Sequence, residues 1–251
     1  MPVLTAAPTE IYESGDSALR VVAISEASED NWLTVHGLAD WLENCGAEGL
    51  HGAVPTYDSV LVEFDPILVS ARQVRAFVKL GLLELGRSAG PAAAPREFDV
   101  PVVYGGEYGP DLERVAEHQG ISVDEVIRLH TEKTYTVRCL GAPAGSPMMD
   151  GPAFPKPVPR LKDPRLSVPA GAVSVAGRQA VIAPAVAPGG WCVIGQTPLS
   201  VLNIRREPLV PYKPGDLLRF RQIRPEDFST FAGLELEPAS MEPASILEVR
   251  S

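Results

Sequence analysis

His130 is the residue best suited to acid–base chemistry in this chain. It ends the helical stretch that begins at Ser122, and at a helix C-terminus the backbone dipole favours the imidazolium, which would let the ring exchange a proton near neutral pH. The competing reading is a helix cap. Arg160 and Arg165 lie in VPRLKDPR, where flanking prolines stiffen the backbone that presents them. A stiffly presented guanidinium suits paired hydrogen bonds to a carboxylate; the alternatives are an ion pair with Asp163 or Asp150, or a cap on loop carbonyls. Gln179, at the start of a strand in AGRQA, offers an amide donor and acceptor to a small polar substrate such as a lactam. The turn from Gly105 to Pro110, GGEYGP, stands between strand and helix signals and resembles a phosphate cradle. It lacks the G-x-G-x-x-G spacing and the P-loop lysine, and Glu107 and Asp111 put negative charge where the anion would sit. A tight turn with Pro110 opening the helix explains the same residues. Ser146, in AGSPM, lacks the elbow of a hydrolase nucleophile, and no cysteine neighbours a histidine in sequence. Without an H-E-x-x-H, a C-x-x-C or a carboxylate run, no metal is expected.

These side chains need a scaffold, and the apolar pattern describes two. Residues 18–24 and 59–64 read as strands, and 32–43 and 70–85 as helices, an α/β layer. In the second helix Val74, Phe77, Val78, Leu82 and Leu85 share one face, which leaves Arg72, Arg75 and Lys79 for solvent. Residues 86–97 are rich in Gly, Ala and Pro without apolar periodicity, as an inter-domain linker is. A strand at 98–103 follows, then helices at 112–119 and 122–129. The second begins with an S-x-x-E capping box, Ser122 and Glu125. Beyond the strand 134–140 the chain is nearly all strand and turn. Runs at 173–176, 180–182 and 191–194 are separated by Pro169-Ala170-Gly171 and Pro188-Gly189-Gly190 corners, the pattern of a barrel or sandwich. Residues 224–251 are acidic and read as a loosely held extension.

Composition narrows the function classes. The 251 residues are 45% hydrophobic and 22% charged, enough for one large or two small cores. A net charge of −10, with 22 Lys and Arg scattered along the chain, argues against a nucleic-acid partner. The start MPVLTAAPTE has no signal-peptide character, and no apolar run approaches the ~18 residues of a membrane span, so the expected location is the cytoplasm, with no membrane partner. Cys45, Cys139 and Cys192 are odd in number and widely spaced, which fits buried free thiols rather than disulfides or zinc.

Several motifs recur in a fixed order: VPTYDSVLVEFDP at 54–66, VPVVYGGEYGPDL at 100–112, His130 with Tyr135, then PR, VPAG, AGxQ, PGGW and IGxTP between 164 and 198, and PGD at 214–216. Together they resemble the family of KipI and the 5-oxoprolinase B subunit, also called allophanate hydrolase subunit 1. The resemblance implies a ferredoxin-like α/β domain and, after it, a cyclophilin-like β-barrel, an α+β chain; with the linker read from composition at 86–97 and the acidic extension at 224–251, where the family pattern has run out, the two domains span 1–85 and 98–223. It implies a subunit 2-type partner, like the 5-oxoprolinase C subunit, and ATP-dependent opening of the 5-oxoproline lactam. ATP enters only in complex with partner subunits; none is expected on this chain alone. His130 and Tyr135 become candidate catalytic residues. Arg165, Gln179, Gly190, Trp191, Gln196, Thr197, Pro143 and Gly145 become candidates for binding a small molecule in the barrel cavity.

The chain departs from the family pattern around that pocket. G-F-x-P-G-F-x-Y-L is Gly141-Ala142-Pro143-Ala144-Gly145-Ser146-Pro147-Met148-Met149 here, Q-T-G-I-Y-P is Gln179-Ala180-Val181-Ile182-Ala183-Pro184, and G-R-T is Gly195-Gln196-Thr197. Three aromatic walls, a threonine, a tyrosine and an arginine are lost, so a larger and less cationic pocket is expected, with weak or absent 5-oxoprolinase activity. Two alternatives stand beside the reading as part of that hydrolase: a reassigned stand-alone enzyme of specialised metabolism, and a non-catalytic kinase-inhibitor-like binding protein.

Overall fold

A computed structural model describes residues 6–85 and 94–239, so most of the expected linker and the last twelve residues of the expected extension lie outside the described residues. The chain divides into two compact units, Met1–Ala94 and Pro95–Ser251.

In unit 1 the strands β1 (Thr9–Glu13), β2 (Ala18–Ala23), β3 (Leu50–Pro55) and β4 (Ser59–Phe64) form an antiparallel sheet in the order β1-β2-β4-β3, with α1 (Ser28–Asn44) between β2 and β3 and α2 (Ala71–Leu85) after β4. Alternation on the two central strands buries Leu19, Val21, Val60, Val62 and Phe64 in one core with Val35, Leu38 and Leu42 of α1 and Val74 and Val78 of α2. The helices meet closely at Gly81, where a Cβ would lie 2.7 Å from the Trp41 ring and 2.8 Å from Leu38. Arg75 is not left to solvent as its helix position suggests: its guanidinium donates to the Ile11 carbonyl at 3.1 Å, because the long apolar stem lets the head group reach the edge strand. Strands β1 and β3 escaped the sequence reading because both are edges, with too few buried positions to show a period.

Unit 2 runs β5 (Glu97–Tyr104), α3 (Leu112–Gln119), α4 (Val123–Thr131), β6 (Thr134–Gly141), β7 (Ser146–Asp150), β8 (Arg165–Val168), β9 (Ala172–Ala176), β10 (Gln179–Ile182), β11 (Ala187–Gly189), β12 (Cys192–Gln196), β13 (Leu217–Gln222), a 3-10 turn (Pro225–Asp227) and α5 (Phe228–Phe231). Seven strands close a barrel in the order β10-β7-β6-β13-β5-β12-β9, and β11 pairs with β8 in a separate ribbon. The mixed α/β class and the barrel are as expected. Phe98, Val100 and Val102 of β5 and Leu218 and Phe220 of β13 lie in the barrel core. The PGD turn holds the parallel β5–β13 pair: fully buried Asp216 accepts from the Arg96 amide and Nε, each at 3.1 Å, and from the Lys213 amide at 3.0 Å.

Two expectations are corrected. Only half of the capping box forms: Ser122 Oγ accepts from the Glu125 amide at 3.1 Å, but the Glu125 carboxylate takes Arg128 instead, because a charged partner one turn along offers two charge-assisted bonds. The extension is not loose throughout. Leu236 is buried in the barrel core, and the backbone of Leu234 and Leu236 bonds to Ser200. Leu236 alone of the LELE run is buried, while Leu234 is exposed, so one apolar side chain anchors a segment whose acidic count suggests none.

Candidate functional site

The last turn of α4 carries His130 into an aromatic cluster. Phe220 of β13, Tyr135 of β6 and Tyr104 at the end of β5 surround it, with ring centroids 4.4, 5.4 and 5.6 Å away. The imidazole is fully buried. Nδ1 lies 2.7 Å from the Tyr104 hydroxyl, while Nε2 has no partner among the described residues. Tyr135 donates to the backbone carbonyl of His130 at 2.9 Å, which fixes the helix end against β6. The expectation that the helix dipole holds His130 as an imidazolium fails. Burial, reinforced by the charge of Lys133, lowers its pKa to about 3, since removing an imidazolium from water outweighs a terminal dipole. His130 is therefore neutral at physiological pH. Burial likewise raises the phenol pKa values of Tyr104 and Tyr135, so both remain protonated donors.

Tyr104 went unnoticed in the sequence reading, yet its signal is present. Phe98, Val100, Val102 and Tyr104 alternate along β5, which directs the phenol to the face that carries the core. Its neighbour is the IGxTP strand: Gly195 pairs with Tyr104, and Gln196 with Val103. A Cβ on Gly195 would lie 2.6 Å from Val102, 2.7 Å from the Val103 carbonyl and 3.2 Å from the Tyr104 ring. Gly195→Ala must move β5 backbone, and a loss of about 1–3 kcal/mol is expected, read as a lower melting temperature together with a changed Tyr104 ring resonance. A variant as stable as the parent with that resonance unmoved would contradict it.

Arg165 takes neither partner weighed from sequence. Its two Nη groups donate to both oxygens of buried Asp111, each at 2.8 Å, and Asp111 also accepts the Val193 amide at 2.8 Å. The expected carboxylate-binding arginine thus holds an internal carboxylate, and Arg160 is exposed. The GGEYGP turn is a turn. Gly105 and Gly106 have φ of +72° and +54°, and the amides of Gly105, Gly109, Asp111 and Leu112 all donate to backbone carbonyls. A Cβ on Gly109 would lie 2.1 Å from the Ile194 carbonyl, so the turn is pressed against β12.

The other expected residues are spread over the unit. Gly190 accepts from the Leu161 amide at 2.7 Å, beside half-buried Trp191 and the β8–β11 ribbon that carries Arg165. Gln196 donates to the Ala170 carbonyl at 2.8 Å, and the buried Thr197 donates through its amide to Gly171. Gln179 opens β10 opposite Asp150. Pro143 and Gly145 form the β6–β7 turn, with Gly145 at φ +90° and its carbonyl held by Tyr212 at 2.8 Å. His130 and Tyr135 are brought together. Among the described residues no hydrogen bond, ion pair or ring contact links His130 to Arg165, Gln179 or Gln196. No group of three or more His, Cys, Asp or Glu among them is placed to hold a metal, and no helix is long and apolar enough to cross a membrane.

A family model described as the carboxyltransferase domain, subdomain C and D, matches residues 9–212. The 5-oxoprolinase B subunit of Bacillus subtilis is 33% identical over 232 residues, 88% of this chain and 96% of that protein. This chain belongs to the family of KipI and the 5-oxoprolinase B subunit. Within the family, the B subunit of Escherichia coli O157:H7 is 42% identical over 125 residues, 50% of this chain and 57% of that protein. Among solved structures, TTHA0988 is 31% identical with a TM-score of 0.69; the likeness covers 82% of this chain but only 40% of that longer one. The urea amidolyase of Kluyveromyces lactis shares the fold at 16% identity and a TM-score of 0.76, over 93% of this chain and 16% of that chain.

Proposed function

We propose that this chain is the B-type component of a cyclic-amide hydrolase, working with a subunit 2-type partner, like the 5-oxoprolinase C subunit, that supplies the ATP site. The observation that carries this reading is the 33% identity over nearly the whole of a protein named as the B subunit of a 5-oxoprolinase, a name that describes one part of an assembly. Unit 1 fits a ferredoxin-like domain, in which β2–α1–β3–β4–α2 supplies the β-α-β-β-α core and β1 fills the remaining edge from the N-terminal side.

A second reading, a barrel reassigned to another small molecule, is favoured by the fates of two polar positions. Gln196, where the family pattern has an arginine, is tied to a backbone carbonyl, and Arg165 is tied to Asp111. Neither offers a free cation to the carboxylate of 5-oxoproline. Losing such a pair raises KM for 5-oxoproline by at least about tenfold relative to the Bacillus subtilis protein. Co-purification with a subunit 2-type partner, followed by ATP hydrolysis with and without 5-oxoproline, tests both readings. A stable complex with a lactam-dependent ATPase of high KM is expected. Failure to associate would overturn the hydrolase-component reading and leave the reassigned barrel.

A further inference from the structure

The acidic segment Gly233–Ala239 follows the end of the family match at residue 212, and it is seated on unit 2 as a bound peptide would be. Its amides donate to the barrel side at three points: Gly233 to the Pro198 carbonyl at 3.3 Å, Leu236 to the Ser200 carbonyl at 3.0 Å and Ala239 to the Glu97 carbonyl at 2.7 Å. In return the Ser200 amide donates to the Leu234 carbonyl at 2.8 Å, so Ser200 and Glu235 pair in parallel, as when a strand is added to an open edge. One side chain anchors the segment. Leu236 is 2% exposed and joins the barrel core, whereas Leu234, Glu237, Pro238 and Ala239 are exposed. One carboxylate is clamped: Glu235 accepts from Asn203 Nδ2 at 2.7 Å and pairs with Arg206. The groove beside the segment has a volume of about 420 Å³, with Val201, Leu202 and Leu209 among its apolar lining. Apart from the segment's own residues, the described lining holds two arginines, Arg96 and Arg206, and no carboxylate.

We propose that residues 198–209 and the start of β5 form a peptide-binding groove that the chain's own Gly233–Ala239 occupies in cis, and that its ligand in trans is an extended partner peptide with a leucine directly after an acidic residue. The seated segment defines that chemistry. The leucine fills the apolar pocket, the acid before it meets Asn203 and Arg206, and the backbone pairs with Ser200 whatever the remaining side chains. By side chains the segment is held through one leucine and one ion pair, whose members are 60% and 35% exposed, so it opens without unfolding the barrel. A partner peptide then competes with a tethered copy of itself, and the open fraction of the groove sets the affinity it meets. The groove uses none of the residues assigned to the hydrolase reading and stands or falls separately from it.

The test uses the full chain and a fluorescent peptide of residues 231–239, FAGLELEPA, followed by anisotropy. Leu236→Ala in the chain weakens the cis segment and leaves the groove intact, so this variant is expected to bind the peptide saturably and at least about tenfold more tightly than the parent. A peptide carrying Leu236→Ala binds neither protein, and one carrying Glu235→Gln binds several-fold more weakly. Glu235→Gln in the chain, at a half-buried position, keeps the test decisive if Leu236→Ala fails to fold; a several-fold gain over the parent is expected from it. Hydrogen exchange of the parent reads the opening itself. The Ser200 and Leu236 amides are expected to exchange at least about tenfold faster than the Val137 amide, which donates to the Asp216 carbonyl at 2.9 Å inside the barrel. Equal exchange at the three amides, or weakened-segment variants that bind the peptide no better than the parent does, would overturn the proposal.

Discussion

Acidification from pH 6.5 to pH 5 is expected to remove roughly 1.6 kcal/mol of stability from unit 2 through His130 alone, and about 4 kcal/mol by pH 3, at up to about 1.4 kcal/mol per pH unit. Unfolded, the ring titrates near its ordinary value of 6.5; folded, burial and then the charge of Lys133 lower the pKa to about 3. Below pH 6.5 the unfolded chain therefore takes up a proton that the folded chain refuses, and each further unit of acidity favours unfolding until the folded pKa is reached. Above pH 6.5 the effect vanishes, because the ring is neutral in both states. Urea unfolding at pH 7, 6 and 5 reads the slope, and His130→Leu, which cannot titrate, isolates it from the carboxylates. Parallel slopes for the two proteins would show that the folded imidazole is protonated after all. The leucine variant loses the bond to Tyr104 and the ring packing on Phe220, so it starts lower at pH 7 and converges with the parent in acid.

Asp111→Ala is expected to cost about 2–4 kcal/mol. Asp111 is buried and accepts three hydrogen bonds, two from Arg165 and one from the Val193 amide. Its loss strands the Val193 N–H in a dry site, while the Arg165 side chain, 31% exposed, can turn its charge to water, which keeps the cost below that of a fully buried pair. Asp111→Asn retains acceptors for some of these bonds and should lose about half as much. The link joins the GGEYGP turn, the PR strand and the strand after PGGW, so the variant should also speed hydrogen exchange at Val193. Denaturation midpoints together with that exchange rate check the prediction, and a change in stability below about 0.5 kcal/mol would refute it.

The sequence by itself determined the four long helices and the strands β2, β4, β5, β6, β9, β10 and β12, but it left the barrel strands β7 and β13 unread. Where both neighbours of an element are protein, as at β2, β4 and β5, burial imposes a period that a reader can count, and Gly and Pro mark the corners because few other residues adopt them. The ordered motifs determined the family for the same reason: glycines such as Gly195 and Gly109 stand where a Cβ would strike a neighbouring strand, so the residue type is legible at the position itself. Tertiary structure decided the chemistry. Arg165 found Asp111, 54 residues away, rather than the acids beside it, since a barrel sets distant strands side by side and no local pattern reports that distance. His130 stands at a helix end, where sequence predicts a favoured charge. The strands that close around that end bring Tyr104, Tyr135 and Phe220 over the ring, and exclusion of water, which only the assembled barrel supplies, reverses the sign of its pKa shift.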